Sequence, residues 1–270
     1  MKKILLFLLP AALMFVGCEG KNNPDDSGVT NDEVVGRFSV SANTKVQFSQ
    51  GNLQYQASTN TWRFASEQYE SLGELNENIS SSSYTGWIDL FGWGTGANPM
   101  LSSTDWSEYD VFVDWGVNAI SNGGNKVNYW RTLSGEEWAY LISNRKNAAN
   151  LCGQASVAGV HGFILLPDDW SAPQDIAWKS LANNWTDNQY TKKQWAKMEN
   201  AGAVFLPATG YRFAYGVYNG DYYDYGNYWS NQIVKDSWSL SWTFYFDGEQ
   251  IMMNYHDKCE GHPVRLVRNL

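Results

Sequence analysis

Three histidines and three cysteines carry the widest chemical repertoire in this 270-residue chain. His161, His256 and His262 are scattered and no cysteine cluster accompanies them, so a zinc site is not expected and all three read as structural or surface histidines. Cys18 stands near the N-terminus. Cys152 and Cys259 remain, either to form one disulfide or to stay as buried thiols, and there is no Cys-x-x-Cys. The chain has no Gly-x-Ser-x-Gly elbow, no His-Glu-x-x-His helix and no phosphate-binding loop. Gly92-Trp93-Gly94-Thr95-Gly96 lacks the spacing and helix start of a dinucleotide site. Among the 28 carboxylates, some of which must come close in three dimensions, the most conspicuous pair for a carboxylate-dependent glycan hydrolase is Asp168-Asp169, after Leu166-Pro167. Adjacent loop carboxylates usually point apart, and the string reads better as strand, turn and aromatic anchor. No catalytic residue, cofactor or metal is therefore expected, and the chain is not expected to be an enzyme.

Binding chemistry is better represented. Aromatics make up 16% of the chain, through 14 Trp, 16 Tyr and 12 Phe, whereas charged residues are only 17% and apolar residues 43%. That balance excludes a disordered tail or a coiled coil. With 19 Lys and Arg against 28 Asp and Glu, a net charge of −9 and no basic run, nucleic acid is not expected as a partner. The polar aromatics concentrate at Tyr218–Asn231, where eleven of fourteen residues are Asn, Asp, Tyr or Ser. Such a mix supplies rigid stacking area and adaptable hydrogen bonds at low entropic cost. The stretch is expected to be a ligand-binding loop, with Tyr222, Tyr223, Asp224, Tyr225, Asn227 and Tyr228 as contacts and Trp229 and Arg265 as framework. The plainer alternative is a surface loop whose rings pack on one another. Asp221, Asp224 and nearby Asn oxygens lack convincing calcium-ligand spacing.

The N-terminus reads as an export signal, with Met1-Lys2-Lys3 followed by the uncharged run Ile4–Val16. Phe15-Val16-Gly17-Cys18 resembles a bacterial lipobox, which implies cleavage after residue 17 and lipidation of Cys18. Residues 18–34, polar and acidic, read as a lipidated cysteine and flexible tether, and 35–270 as one folded domain. The expected location is the outer membrane, lipid-anchored and facing the cell surface, with a periplasmic orientation as the alternative.

Within the domain, Phe38, Val40 and Ala42, Val46 and Phe48, Leu53 and Tyr55, and Trp62 and Phe64 alternate with polar residues, the period of half-buried strands. Gly51-Asn52 and Ser58-Thr59-Asn60 supply turns. Ile79–Gly124 reads as long loops pinned by aromatics. Ser134 with Glu137, and Thr191 with Gln194, are capping boxes opening two short helices that carry Trp138 and Trp195. Strands are expected again at Val204–Pro207, Tyr215–Tyr228, Trp238–Phe246 and Val264–Val267. Strands, two helices and strands make an α+β fold.

The strings Tyr129-Trp130-Arg131-Thr132-Leu133-Ser134, Phe205-Leu206-Pro207-Ala208-Thr209-Gly210-Tyr211-Arg212, Tyr228-Trp229-Ser230 and Gly261-His262-Pro263-Val264-Arg265-Leu266-Val267-Arg268 resemble, in order, the landmarks of the Fibrobacter succinogenes major paralogous domain found in Bacteroidetes-type lipoproteins. The resemblance covers roughly 126–270, with 35–125 as its β-rich N-terminal part. It implies a C-type-lectin-like, formylglycine-generating-enzyme-like fold: a mixed sheet, two short helices and long loops on one face. The oxidase branch of that fold is similar but uses a close cysteine pair, which Cys259 alone does not supply. The sugar-binding lectins use Glu-Pro-Asn or Gln-Pro-Asp calcium loops, which do not occur here. The implied function is a non-catalytic binding domain for glycan or protein ligands, with a structural or fimbria-like surface component as an alternative. Arg131, Arg212 and Arg265 are expected to satisfy internal carbonyls and carboxylates, and Trp138 and Trp195 to anchor the core. Trp130, Trp229, Trp238 and Trp242 fit either side of a strand.

Overall fold

The computed structural model describes residues 36–220 and 224–270. The export segment, Cys18, the tether and two expected contact residues, Tyr222 and Tyr223, lie outside the described residues. Strands β1 (Phe38–Ser39) and β2 (Lys45–Phe48) pair antiparallel, as do β3 (Leu53–Gln56) and β4 (Thr61–Phe64). In β2, Val46 and Phe48 point inward while Lys45 is exposed, the alternation expected of a half-buried strand. Asn60, left-handed at φ 49°, closes the tight connection between β3 and β4, a conformation Asn tolerates.

Residues 65–134 form loops and 3₁₀ helices, the longest of them Gly73–Ser80, around an aromatic core of Trp62, Phe64, Phe91, Trp93, Trp115, Trp130 and Trp229. Each buried indole that reaches a carbonyl pins a loop. Trp229 Nε1 donates to the Phe91 carbonyl at 2.7 Å, Trp93 Nε1 to Ser230 at 2.9 Å, and Trp130 Nε1 to Gly123 at 2.8 Å. Trp130 and Trp229 are thus core residues. Asp89, fully buried, accepts from the Asn76 side chain and the Leu72 amide, and burial pushes its carboxyl up to about 6.

Helix α1 (Gly135–Ala139) begins at the Ser134 capping box, both of whose hydrogen bonds form, and runs into a wider π turn, Tyr140–Asn144. Its Trp138 stacks on Phe244 at 5.1 Å. A four-stranded sheet follows, ordered β7-β5-β6-β8, from β5 (Cys152–Val157), β6 (Val160–Leu165), β7 (Gln189–Tyr190) and β8 (Val204–Pro207). Helix α2 (Lys192–Asn200), opened by the Thr191 capping box, buries Trp195 and Met198 with Phe205 of β8. The hairpin β9 (Tyr211–Phe213) and β10 (Gly216–Tyr218) leads to a three-stranded sheet of β11 (Gly226–Ile233), β12 (Leu240–Phe246) and β13 (Ile251–Asp257). Finally β14 (Val267–Asn269) pairs with β2, joining the two ends of the described chain. The architecture is α+β, with short helices, several small sheets and a β-rich N-terminal stretch. No helix among the described residues is long and apolar enough to cross a membrane.

Of the two alternatives for Cys152 and Cys259, the structure has buried free thiols, and no disulfide joins them. Two expectations change. Val264–Leu266 lies outside any ladder, its Val264 and Leu266 carbonyls accepting from the Leu53 and Ser49 amides, and the strand begins only at Val267. The Tyr218–Asn231 stretch is not one loop, because from Gly226 onward it is strand β11.

The three arginines are internal, as expected. Arg131 makes a bidentate pair with Glu137 at 2.7 Å, fixing the carboxylate that also closes the capping box. Arg212, fully buried, donates to Ser102 Oγ and to the carbonyls of Ala214 and Leu90. Arg265 reaches Asn52, Gln50 and Gln68, consistent with a framework role. Burial lowers both of these guanidiniums to about 10.

Candidate functional site

The register of β11, β12 and β13 sorts their side chains onto two faces. Tyr228, Phe244, Phe246, Ile251 and Met253 point one way and pack into the main core. Asn227, Trp229, Thr243, Tyr245, Met252, Asn254 and His256 point the other way, and Tyr225, two residues before Asn227, continues that side. The inner part of this second face is roofed by the chain's return from Cys259 to His262, itself held by backbone bridges between Arg212 and Gly261 and between Phe91 and His262. Trp229 is buried beneath it with His262 4.8 Å away, and Asn227 is buried as well.

The outer part of the face carries a run of tyrosines. Tyr218 stacks on Tyr211 across the β9–β10 hairpin at 4.9 Å and 19°, Tyr211 lies 6.3 Å from Tyr225, and Tyr225 lies 5.7 Å from Tyr245. The Tyr245 hydroxyl donates to Asp247 at 2.5 Å, and burial together with that carboxylate raises the phenol above its ordinary value. Asp247 also accepts the amides of Glu249 and Gln250, so the turn that holds Tyr245 is itself capped. Tyr215 and Tyr218 are exposed, and Tyr211, Tyr225 and Tyr245 are half-buried. The start of β11 is tethered from below: Asp224 meets His161 Nδ1 at 2.5 Å, and the His161 ring lies flat on Trp185 at 5.1 Å and 7°.

The expected contact set is thereby divided. Asp224 and Tyr225 lie beside the tyrosine run, Asp224 as a tether to His161. Asn227 is fully buried and accepts from Thr243 Oγ1. Tyr228 is fully buried between Trp138 and Phe246, its hydroxyl donating to the Pro207 carbonyl at 3.1 Å and accepting from Asn52 at 3.1 Å. These last two are not available as contacts, because strand pleating turns Tyr228 inward and Asn227 has no exposed surface. Tyr211, Tyr218 and Tyr245 share the tyrosine run with Tyr225. The signal that could have found them is their alternation with apolar residues on segments that pair in space.

At the far end of the same face sits a polar cluster that the spacing did not suggest. His256 Nδ1 lies 2.8 Å from Glu260 Oε2, and His262 Nε2 lies 3.0 Å from the same oxygen. Burial alone would raise the Glu260 carboxyl, but the hydrogen bonds from both rings overcome it and hold the group at about 2. Burial drives His262 down to about 4, Glu260 opposing it. At neutral pH the cluster therefore holds a carboxylate beside a neutral His262, with the His256 ring on the same carboxylate oxygen. The string His256-x-x-x-Glu260-x-His262 is its signature in sequence.

Two hollows lie elsewhere on the described surface. An open cleft of about 480 Å³ is lined by Ser39, Lys45, Tyr140, Lys146, Asp168 and Asp169. Asp168 is occupied there: Ser39 donates through its amide and hydroxyl, Lys45 lies at 3.0 Å and buried Arg145 at 3.3 Å. Burial would raise that carboxyl, but Ser39 and Lys45 hold it below its ordinary value. An apolar groove of about 320 Å³ lies between α1 and the sheet, lined by Gly135, Glu136, Ala139, Gln232, Trp242 and Met253. Trp242 is half-buried and Trp238 is exposed.

Comparison with protein-family models, with curated proteins and with solved structures finds no match to this chain.

Proposed function

We propose that the chain is a lipid-anchored binding protein of the outer membrane, displayed at the cell surface, whose folded part is a C-type-lectin-like domain of the major paralogous type with a non-catalytic face for glycan or protein ligands. The observation that carries this reading is the run Tyr218–Tyr211–Tyr225–Tyr245, four rings in succession on one polar face. Aromatic rings with nearby polar groups offer stacking area to the C–H faces of sugars or to side chains, at little loss of rotamer entropy. Asp168 does not support a hydrolase, because an ionised carboxylate held by Ser39, Lys45 and Arg145 is poorly placed to give up or accept a proton in catalysis.

The test is a glycan array read with the full chain carrying Cys18→Ala, which removes the proposed anchor, beside the same protein with Tyr218→Ser and Tyr225→Ser. Binding that the tyrosine substitutions abolish supports the reading. Capture of a protein ligand that depends on the same tyrosines assigns the face to protein, and turnover of a bound glycan overturns the non-catalytic reading. Loss of fatty-acid labelling on Cys18→Ala checks the anchor. A second reading, a fimbria-like component, is favoured by β13, a seven-residue edge strand at the end of its sheet with Met252 and Tyr255 exposed. Concentration-dependent polymers, abolished by a proline in β13, would support it.

A further inference from the structure

The cluster at the far end of the face has the donors and the shape of a metal centre. We propose that His256, Glu260 and His262 form a binding site for a first-row divalent cation, Zn²⁺ being the ion that two imidazoles and one carboxylate suit best. The proposal stands independently of what the tyrosine face binds.

The geometry supports it in two ways. His256 Nδ1, His262 Nε2 and one Glu260 oxygen all lie within 4.8 Å of one another, with the two histidine–carboxylate distances at 2.8 and 3.0 Å. A cation bound at about 2.0–2.1 Å from each ligand holds neighbouring ligand atoms roughly 3.0–3.4 Å apart, so two edges of the coordination figure are nearly in place. Secondly, the backbone is held on both sides of the ligands: His256 pairs with Ser241 in the β12–β13 ladder, and His262 bridges to Phe91. At Gly261 between them, an added Cβ would lie 2.9 Å from Arg212 Nε, so the turn is packed tightly against a buried side chain. His262 is fully buried with its ring edge-on to Trp229 at 4.8 Å, whereas His256 and Glu260 are partly exposed. One fixed and two adjustable ligands at a solvent-facing mouth leave the remaining coordination positions to water, the pattern of an open rather than a closed site.

A cation would replace the two histidine contacts to Glu260 and leave each ring's proton on its opposite nitrogen; His256 Nε2 and His262 Nδ1 are buried with no hydrogen-bond partner among the described residues, a cost the coordination bonds have to outweigh. The neighbouring cations are directed elsewhere. Lys258 Nζ lies 3.6 Å from Asp110 and over the Trp93 ring, and Arg212 donates to Leu90, Ser102 and Ala214.

The experiment is a titration of ZnCl₂ into the full chain carrying Cys18→Ala, free of any oligohistidine tag and stripped with a chelator, followed by calorimetry, by metal analysis after dialysis and by thermal melting. The expected result is one Zn²⁺ per chain, a melting temperature that rises with free zinc, and at least a tenfold weaker affinity for His256→Gln and for Glu260→Gln. Both of those side chains are partly exposed, so the variants keep the fold, and an unchanged metal-free melting temperature verifies this. Loading with CoCl₂ adds a signature that hydrogen bonding alone would not give: visible absorption bands that disappear in His256→Gln. Absence of stoichiometric binding by the parent protein overturns the proposal and leaves the cluster as a hydrogen-bonded triad. Binding that survives His256→Gln but is lost on Cys259→Ser overturns it equally.

Discussion

Tyr225 and Tyr228 stand three residues apart in one tyrosine-rich stretch, and the fold gives them opposite surroundings. Tyr225 is half-buried on the open face beside Tyr211 and Tyr245; Tyr228 is sealed in the core between Trp138 and Phe246, its hydroxyl engaged by Pro207 and Asn52. The boundary is Gly226, where β11 begins and side chains start to alternate between faces. Asn227 and Trp229 lie on Tyr225's side of that alternation but are both buried, Trp229 against His262 of the returning segment. Composition therefore marked the region without sorting its residues: register separated inward from outward, and a segment thirty residues downstream separated covered from open.

The comparison can be broken most directly at its buried end. Tyr228→Ala, like Trp138→Ala beside it, is expected to cost about 3–5 kcal/mol, because a large ring is lost from a packed core that cannot close around the gap; chemical denaturation measures it. A loss below about 1 kcal/mol would return Tyr228 to the surface. At the boundary, Gly226→Ala is expected to cost about 1–3 kcal/mol through overpacking. An added Cβ there would meet the Phe246 ring at 2.2 Å, and that ring is locked in the core.

Proton linkage offers a finer test. Burial raises the Tyr228 phenol above its ordinary value of 10.0. A raised folded value means that the native state holds this proton more tightly than the unfolded chain, so its contribution to stability is complete below about pH 10 and is lost as pH rises beyond it. Tyr228→Phe should therefore make the alkaline fall in stability shallower, by up to one proton, in denaturation series collected above pH 10. An unchanged slope would show that Tyr228 ionises in the folded protein as it does unfolded. The smallest stability effect belongs to Tyr225→Ser, expected to stay within about 0.5 kcal/mol while weakening ligand binding. A collapse of the melting temperature would place this ring in the core with Tyr228.

What could be read from the chain was local. Ser134 with Glu137 and Thr191 with Gln194 foretold both helix starts, because a capping box needs only four consecutive residues to satisfy its own amides. The two-residue period of Lys45–Phe48, Leu53–Gln56 and Thr61–Phe64 marked strands for a similar reason, since each strand's apolar side is written within its own span. The internal roles of Arg131, Arg212 and Arg265 could be anticipated from their apolar neighbours, although not their partners. The tyrosine face depends instead on Tyr211 and Tyr218 of one hairpin meeting Tyr225 and Tyr245 of another sheet, a convergence that no local pattern contains. The three histidines looked scattered for the same reason. His161 is drawn to Asp224 across 63 positions, while His256 and His262 are brought onto one carboxylate by the turn after β13 and held there by the bridge from His262 to Phe91. Capping and pleating are short-range and are therefore set by the order of residues; burial and the convergence of distant side chains arise only when separate segments share one volume, and that was decided by the tertiary packing.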